Sequence, residues 1–361
     1  MKATQRLHDL GQSLWLDNIT RDLLTSGTLR RYRDELSVTG LTSNPTIFDL
    51  AIRNGNSYDE SIRKKTAQGK SGEELFFDLA LEDLTQAADL FRPIFDSTNS
   101  IDGWVSLEVS PLLAYDTAKT IEEVAELHAR SKRPNVLIKI PGTGEGVPAI
   151  EESTFQGVPV NVTLLFSREQ YIAAAEAYMR GIERRIAAGR DPKIHSIASV
   201  FISRWDKAVI GKVPELLRNR LGIAIAKRTY KTYRDLLKSA RWQKLAAAGA
   251  VPQRLLWGST GTKDPAAPDV MYIEALAAPD TVNTIPEKTL LAFADHGQVK
   301  GVMPADAGDA EQVLAEFALA GVYHAELAEE LQREGAEAFD RSWNDLMDCL
   351  RSKSEELQKA S

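Results

Sequence analysis

One lysine interrupts an apolar run that otherwise has the composition of a buried strand. Lys139 stands in the middle of NVLIKIP, residues 135–141. A buried ammonium group costs several kcal/mol unless it is paired or gives up its proton. The neutral amine is a nucleophile that attacks carbonyl carbon and forms a Schiff base. The segment therefore predicts covalent chemistry on a carbonyl substrate; the structural alternative is a strand-end lysine that reaches water.

Polar side chains also stand at or near the ends of other apolar runs. Carboxylates there can serve as general acids or bases, and amide, amine and guanidinium donors can hold polar substrates. Each type has a structural alternative, since Asp and Asn often end turns, Thr suits any strand and Arg can reach the surface. Beside Lys139 and the aromatic Phe201, the candidate site residues are Asp17, Asn44, Glu108, Asn161, Thr163, Ser199, Arg204, Ser259 and Lys263.

Eight apolar runs must position these side chains. They are rich in Val, Ile, Leu and Thr and show little alternation, as strands covered on both faces do. Helical patterns lie between them, which predicts an α/β fold, a (β/α)8 TIM barrel; an open doubly wound sheet is the alternative. The runs are SLWLDNI (13–19), TGLTSNP (39–45), GWVSLEVS (103–110), NVLIKIP (135–141), VPVNVTLLF (158–166), IASVFISRW (197–205), RLLWGST (254–260) and TVNTIP (281–286).

The chain also exceeds the minimal barrel in two places. Residues 46–102 leave room for extra helices after the second strand, and the chain from about residue 303 reads as helical. No linker rich in Pro, Gly or Ser is present, so residues 1–361 are expected to form one domain with the C-terminal helices packed on the barrel. A stripe with helical spacing supports that packing, formed by Leu331, Phe339, Trp343, Leu346 and Leu350.

Capping-box spacings mark the starts of three predicted helices. In this motif a Ser or Thr side chain accepts a hydrogen bond from the backbone three residues later, where a Glu or Gln side chain returns one. The pairs are Ser71 with Glu74, Thr120 with Glu123 and Ser167 with Gln170.

Composition argues against several classes of function. The net charge of −7 gives no electrostatic reason to expect nucleic acid or a membrane surface as a partner. Cys349 is the only cysteine and the five histidines are scattered, so neither a disulfide nor a metal site is expected. Met1 to Leu14 is too polar for a signal peptide and no apolar run reaches about 18 residues, which predicts a cytoplasmic protein.

With these motifs together, the chain resembles the transaldolases of the pentose phosphate pathway over about residues 10–300. The resemblance implies a (β/α)8 barrel, a Schiff-base lysine on the fourth strand at Lys139, and no metal or organic cofactor. It rests on several motifs in the right order: SLWLDNITRDLL, GLTSNPTIF, VSLEVSPLLAYDT, NVLIKIPGTGEGVPAI, VNVTLLFS, SVFISRWD and LLWGSTGTKDP.

The resemblance also implies roles in the reaction. Lys139 would attack the keto carbon of sedoheptulose 7-phosphate or fructose 6-phosphate. Glu108 and Thr163 would hold the water that shuttles protons, and Asp17 would take the C4 hydroxyl proton as the C3–C4 bond breaks. The bound three-carbon enamine would then wait for an aldehyde acceptor, glyceraldehyde 3-phosphate or erythrose 4-phosphate. Phe201 is expected to border the water.

Substrate contacts follow from the same resemblance. Asn44 and Asn161 would hold hydroxyl groups and the amine, while Ser199 and Arg204 would bind the phosphate. The family's better-known members carry a second arginine after the seventh strand. This chain has GSTGTKD there, so Ser259 or Lys263 would take the place of that arginine. Neither side chain can make the bidentate contact with phosphate that an arginine makes.

Two other functions remain open at this stage. A class I aldolase of the fructose 6-phosphate aldolase type shares the lysine but releases dihydroxyacetone to water. A non-catalytic barrel that binds sugar phosphates would need no buried amine. All three hypotheses imply sugar-phosphate ligands. The protein is expected to be a monomer or a homodimer.

Overall fold

Eight parallel strands close into a barrel in the computed structural model, which describes residues 1–359. Each strand pairs with the next one along the chain, and the eighth returns to the first. The predicted (β/α)8 TIM barrel and all eight runs are therefore confirmed, and closure excludes the open doubly wound sheet. The strands are β1 Ser13–Asp17, β2 Val38–Thr42, β3 Val105–Glu108, β4 Val136–Pro141, β5 Val160–Leu165, β6 Ser196–Phe201, β7 Gln253–Gly258 and β8 Val282–Ile285.

Helices surround the barrel and extend it at the two predicted places. Three of them lie between β2 and β3, and two follow residue 303, as expected. The helices are α1 Ala3–Asp9, α2 Arg21–Thr25, α3 Thr28–Leu36, α4 Pro45–Asn54, α5 Asp59–Thr66, α6 Gly72–Ser97, α7 Thr117–Ser131, α8 Gly146–Gln156, α9 Arg168–Ala187, α10 Ser203–Val209, α11 Leu221–Lys238, α12 Ala240–Ala247, α13 Met271–Ala275, α14 Glu287–His296, α15 Ala310–Leu319 and α16 His324–Lys359. Short 3-10 turns occupy Pro111–Leu113 and Glu215–Leu217.

The three predicted capping boxes have different outcomes. The box of Ser167 and Gln170 forms in full at the start of α9. Ser71 precedes α6 as predicted, but its side chain makes no capping hydrogen bond. The predicted start of α7 at Thr120 is wrong, because Asp116 caps the helix four residues earlier by accepting a hydrogen bond from the backbone of Lys119.

The long helix α16 lies across the carboxyl end of the barrel, and its predicted apolar stripe is buried. Trp343 packs edge-on against Phe76, with ring centroids 5.0 Å apart, and donates Nε1 to Glu73 at 3.0 Å. Gln332 donates Nε2 to the carbonyls of Gly142 and Leu164, both at 2.9 Å, where β4 and β5 end. These contacts hold α16 over the strand ends. No helix within residues 1–359 has the length and apolarity to cross a membrane.

Strand β2 approaches its neighbours closely at Gly40. A Cβ built there would lie 2.4 Å from the Trp104 carbonyl and 2.7 Å from Trp15 Nε1. Atoms cannot approach so closely, so an added methyl group must displace backbone. Glycine at this position is thus a requirement of the barrel wall.

Gly40→Ala is expected to lower the free energy of unfolding by about 1–3 kcal/mol, the usual cost of overpacking a core. Urea denaturation measures it. Gly301→Ala is the matched control, since a Cβ at Gly301 would meet nothing within 4 Å, and its change should stay within about 0.5 kcal/mol. Equal stability of the two variants would contradict the argument.

Candidate active site

The residues singled out from the sequence surround one cavity at the carboxyl end of the barrel. Catalytic groups of such barrels sit at this end, on the strand ends and the loops that follow them. Glu108 contacts Lys139 directly. The other ten line the cavity: Asp17, Asn44, Lys139, Asn161, Thr163, Ser199, Phe201, Arg204, Ser259 and Lys263.

A larger cavity lies at the opposite, amino end of the barrel. Its volume is about 540 Å³, against about 140 Å³ for the cavity at the carboxyl end. The buried carboxylate there, Asp102, already accepts hydrogen bonds from Ser13, Trp15 and the backbone of Gly103. Because the fold itself uses that carboxylate, size alone does not make this cavity the better candidate.

Lys139 and Glu108 form an ion pair at the bottom of the carboxyl-end cavity. They are register partners on β4 and β3, and Lys139 Nζ lies 2.8 Å from Glu108 Oε2. Nζ also donates to the Ser43 carbonyl at 2.9 Å. The two side chains are only 7% and 3% exposed. Burial raises the pKa of Glu108, which the charge of Lys139 opposes and the charge of Asp17 reinforces. At 2.8 Å, Nζ and Oε2 lie close enough for a proton to pass directly between them.

Two buried oxygen atoms beside this pair have no hydrogen-bond partner within residues 1–359. They are Glu108 Oε1 and Thr163 Oγ1. Buried hydroxyl and carboxylate oxygens are ordinarily paired, because leaving them unpaired costs roughly 1–3 kcal/mol each. Thr163 lines the cavity and Glu108 contacts Lys139, so both oxygens are placed to bond a water or a substrate beside the amine.

Strand β5 is distorted where Thr163 enters the cavity. Its pairing with β6 shifts register between Val162 and Leu165, and Leu164 adopts a φ of +58°. A leucine in the left-handed region is strained, by roughly 1–3 kcal/mol. The hydrogen bond from Gln332 to the Leu164 carbonyl helps to hold this conformation.

Asp17 ends β1 at the edge of the same cavity. Its Oδ1 accepts a hydrogen bond from Thr42 at 3.0 Å. Burial raises the pKa of Asp17, and the charges of Lys139 and Lys263 and the Thr42 bond oppose that rise. Asn44 lines the cavity and also caps α4, since its Oδ1 accepts from the backbone of Ile47 at 3.2 Å. Its structural and binding roles are thus compatible.

Asn161 is held rigidly beside Lys139. The two residues are register partners on β5 and β4. Asn161 Nδ2 donates to Ser106 Oγ at 3.2 Å, and Asn161 Oδ1 accepts from Ser199 Oγ at 2.6 Å. Ser106 was missed by the sequence reasoning, although it lies two residues before Glu108 and so shares its face of β3. Ser199 already uses its hydroxyl proton, so its contact with a phosphate stays a prediction.

Arg204 lies in the first turn of α10, so placing it on the sixth strand was wrong: β6 ends at Phe201. Its guanidinium carbon sits 5.1 Å from the ring centroid of Phe201 and 5.7 Å from that of Phe339. Desolvation lowers the pKa of Arg204, while Glu108 and Glu334 oppose the effect. Phe201 also packs on Phe166 at 5.5 Å, so it serves both the core and the cavity wall.

Lys263 lines the same cavity as Arg204, and Lys207 lies in an adjoining pocket that Arg204, Lys263, Glu334 and Glu337 also line. Lys263 follows β7, and partial desolvation together with repulsion from Lys207 and Arg204 lowers its pKa. Ser259 has a φ of +54° and its Oγ lies 2.9 Å from Ser203 Oγ. None of the three cations forms an ion pair with a carboxylate of residues 1–359. Such a cluster is suited to a multiply charged anion.

Sequence reasoning missed Lys207 and Phe339. Lys207 has a local signal, because it follows Arg204 by three residues and so shares one side of α10. Phe339 was predicted only as part of the buried stripe of α16. Its place in the cavity depends on a contact with residues more than a hundred positions away, which no local pattern reports. No group of three or more His, Cys, Asp or Glu side chains within residues 1–359 is arranged to hold a metal ion.

Thr163→Val tests whether the unpaired hydroxyl of Thr163 contributes to stability or is available to a ligand. Thr163 is fully buried and its hydroxyl has no protein partner. Its removal should leave the free energy of unfolding unchanged or raise it by up to about 2 kcal/mol.

Thr143→Val is the matched control for that measurement. Thr143 is also buried, but its hydroxyl donates to the Ala114 carbonyl and accepts from the backbone of Gly146. Urea denaturation should show a loss of about 1–3 kcal/mol for this variant. A comparable loss in Thr163→Val would mean that the Thr163 hydroxyl serves the fold.

Comparison with known proteins agrees with this geometry. The profile of the transaldolase/fructose-6-phosphate aldolase family matches residues 14–350. A transaldolase of Parafrankia sp. (strain EAN1pec) is 44% identical over 359 residues, covering 97% of each chain. A transaldolase of Arthrobacter sp. (strain FB24) is 42% identical over 99% of each chain, and one of Thermobifida fusca (strain YX) is 43% identical over 95% of this chain and 96% of its own. The chain therefore belongs to the transaldolase/fructose-6-phosphate aldolase family.

Proposed function

We propose that the chain is a transaldolase, a transferase of the pentose phosphate pathway that acts in the cytoplasm. It would move a dihydroxyacetone unit from sedoheptulose 7-phosphate or fructose 6-phosphate to glyceraldehyde 3-phosphate or erythrose 4-phosphate. The observation that carries this proposal is the buried pair of Lys139 and Glu108, 2.8 Å apart, in a chain whose full-length relatives are named transaldolase.

The first step is formation of a Schiff base. Lys139 passes a proton to Glu108 along their hydrogen bond, and the neutral amine attacks the keto carbon of the donor sugar. The carbinolamine must then lose water, which requires protonation of its hydroxyl. Glu108 returns the proton through a water held by its Oε1 and by Thr163 Oγ1, the two oxygens without protein partners. The product is a protonated imine at Lys139.

The second step is cleavage of the C3–C4 bond. Asp17 removes the C4 hydroxyl proton, the C4 oxygen becomes an aldehyde, and the electron pair of the bond flows into the imine to give an enamine. The imine accepts these electrons itself, so the step requires neither a metal nor an organic cofactor. The aldehyde product leaves, and the acceptor aldehyde reacts with the enamine by the reverse sequence. Hydrolysis of the new imine frees Lys139.

Substrate contacts divide between the interior and the rim. Asn44 and Asn161 have amide groups that suit sugar hydroxyls near Lys139. Arg204 offers paired donors to a phosphate. Ser259, Lys207 and Lys263 would complete that site in place of a second arginine, with the lysines acting as point charges. Ser199 would serve chiefly by orienting Asn161, whose amide oxygen accepts its hydroxyl proton.

The principal alternative is a class I fructose 6-phosphate aldolase, since the family name includes both activities. An aldolase must protonate and hydrolyse the enamine without an acceptor. Phe201 favours the transferase, because its ring lines the cavity and offers no proton donor to that step. A non-catalytic sugar-phosphate barrel is disfavoured, because binding alone gives no reason to bury an amine.

A coupled assay with fructose 6-phosphate tests the proposal and its alternative together. With erythrose 4-phosphate present, glyceraldehyde 3-phosphate should form with equimolar sedoheptulose 7-phosphate. Without an acceptor, release of dihydroxyacetone should be slower by roughly 10²-fold or more, since the positioned proton donor that hydrolysis needs is lacking. If glyceraldehyde 3-phosphate forms from fructose 6-phosphate at the same rate with and without acceptor, the enzyme is an aldolase. If no product forms under either condition, both activities are excluded.

Asp17→Asn should separate Schiff-base formation from bond cleavage. Lys139 and Glu108 remain in this variant, so borohydride should still trap an adduct when dihydroxyacetone is offered. Turnover from fructose 6-phosphate should fall by roughly 10²–10⁴-fold, the usual contribution of a positioned general base. Loss of the adduct together with turnover would assign Asp17 to binding or to the fold.

A further inference from the structure

We propose that helix α16 positions the phosphate-binding guanidinium, with Phe339 and Gly335 as the two residues responsible. This inference rests on the proposed function for its substrate, but its physical content is an anion site at Arg204. The helix would then set the preference of the enzyme for phosphorylated over unphosphorylated sugars.

The first observation is how Arg204 is held. Its guanidinium carbon lies over the rings of Phe201 and Phe339, at 5.1 and 5.7 Å from their centroids. No carboxylate of residues 1–359 pairs with it. Aromatic faces stabilise a guanidinium through its plane and leave the N–H groups at its edge free. A carboxylate partner would instead occupy the donors that a phosphate needs.

The second observation is a glycine in the interior of α16. Gly335 is buried beside Arg204, and a Cβ there would lie 3.2 Å from Arg204 Nη1 and 3.0 Å from Leu164 Cδ2. Glycine is the least favourable residue for a helix interior apart from proline. Its absence of a side chain lets the guanidinium lie directly against the helix.

The third observation is that α16 is anchored on both sides of this contact. Gln332, three residues before Gly335, binds the carbonyls of Gly142 and Leu164. Trp343, four residues after Phe339, is buried and donates to Glu73. Spacings of three and four place these side chains on one face of the helix. The distance between α16 and Arg204 is therefore fixed by the fold.

Phe339→Leu keeps an apolar side chain but removes the ring face. The KM for erythrose 4-phosphate should rise about tenfold, in line with loss of one cation–π contact, while kcat stays within about twofold. The KM for the donor fructose 6-phosphate should rise in parallel, because its phosphate uses the same site. At saturating donor, kcat/KM for unphosphorylated glyceraldehyde as acceptor should not change, since that acceptor offers no phosphate to Arg204. Phe339→Tyr restores the ring and should restore the KM.

Gly335→Ala adds atoms beside Arg204, whereas Phe339→Leu removes them. The added methyl group also improves helix propensity. The gain in helix propensity opposes the crowding of Leu164 Cδ2 at 3.0 Å, so the temperature of thermal unfolding should change little. The KM for erythrose 4-phosphate should nevertheless rise severalfold, since Nη1 must move by a few tenths of an ångström. A purely structural role for this position would not give unchanged stability together with weaker phosphate recognition.

Titration with inorganic phosphate provides a readout that does not depend on turnover. The dissociation constant for phosphate should rise about tenfold in Phe339→Leu, in parallel with the KM. Phe317→Leu is the matched control: Phe317 is fully buried in the same apolar cluster as Phe339 but makes no ring contact with Arg204. It should lose stability and keep its phosphate affinity.

These measurements separate the two proposals. Wild-type protein that binds phosphate but transfers nothing would overturn the proposed function and leave the anion site supported. Wild-type protein that transfers while Phe339→Leu keeps its phosphate affinity, or loses phosphorylated and unphosphorylated acceptors equally, would overturn the role of α16. Absence of phosphate binding in the wild type would overturn it as well.

Discussion

The buried pair of Lys139 and Glu108 is the interaction on which the rest of the structure depends. Removing two opposite charges from water costs several kcal/mol per ion before their attraction is counted. Two features of the barrel offset that cost. Strands β3 and β4 hold the two residues side by side, and the Ser43 carbonyl accepts a second hydrogen bond from the ammonium. Glu108 Oε1 and Thr163 Oγ1 have no hydrogen-bond partner within residues 1–359. The fold thus keeps two buried oxygens beside Lys139 without a protein hydrogen-bond partner in the described part of the chain.

Charge is layered from the bottom of the cavity to its rim. Near Lys139 the groups are carboxylates and amides, which suit proton transfer and sugar hydroxyls. At the rim Arg204, Lys207 and Lys263 form an unpaired positive cluster. Under the proposed function, the keto carbon of the donor sugar would lie near Lys139 and its phosphate at the rim. Helix α16 completes this layer from outside the barrel, by supplying a wall of the cavity that the strands do not provide.

The barrel and much of the cavity lining could be predicted because strand ends carry local signals. Apolar runs without alternation identified all eight strands. The amine inside one of them singled out Lys139, whose role as the Schiff-base residue stays a prediction. The end of β6 was predicted poorly, because the sequence ISRW is compatible with both strand and helix. In the structure β6 ends at Phe201 and a helix begins at Ser203. The start of α7 failed because Asp116 is a stronger cap than Thr120. The contribution of Phe339 had no local signal, because it arises only when α16 crosses the strand ends.

The most direct test of Lys139 as the Schiff-base residue is the site of the covalent adduct. Protein incubated with fructose 6-phosphate and borohydride would be digested, and the modified peptide mapped by mass spectrometry. A single peptide should carry a reduced three-carbon group on Lys139, and no peptide should carry it in Lys139→Ala. Modification at Lys132 or Lys263, or an active preparation that gains no covalent mass, would contradict this assignment.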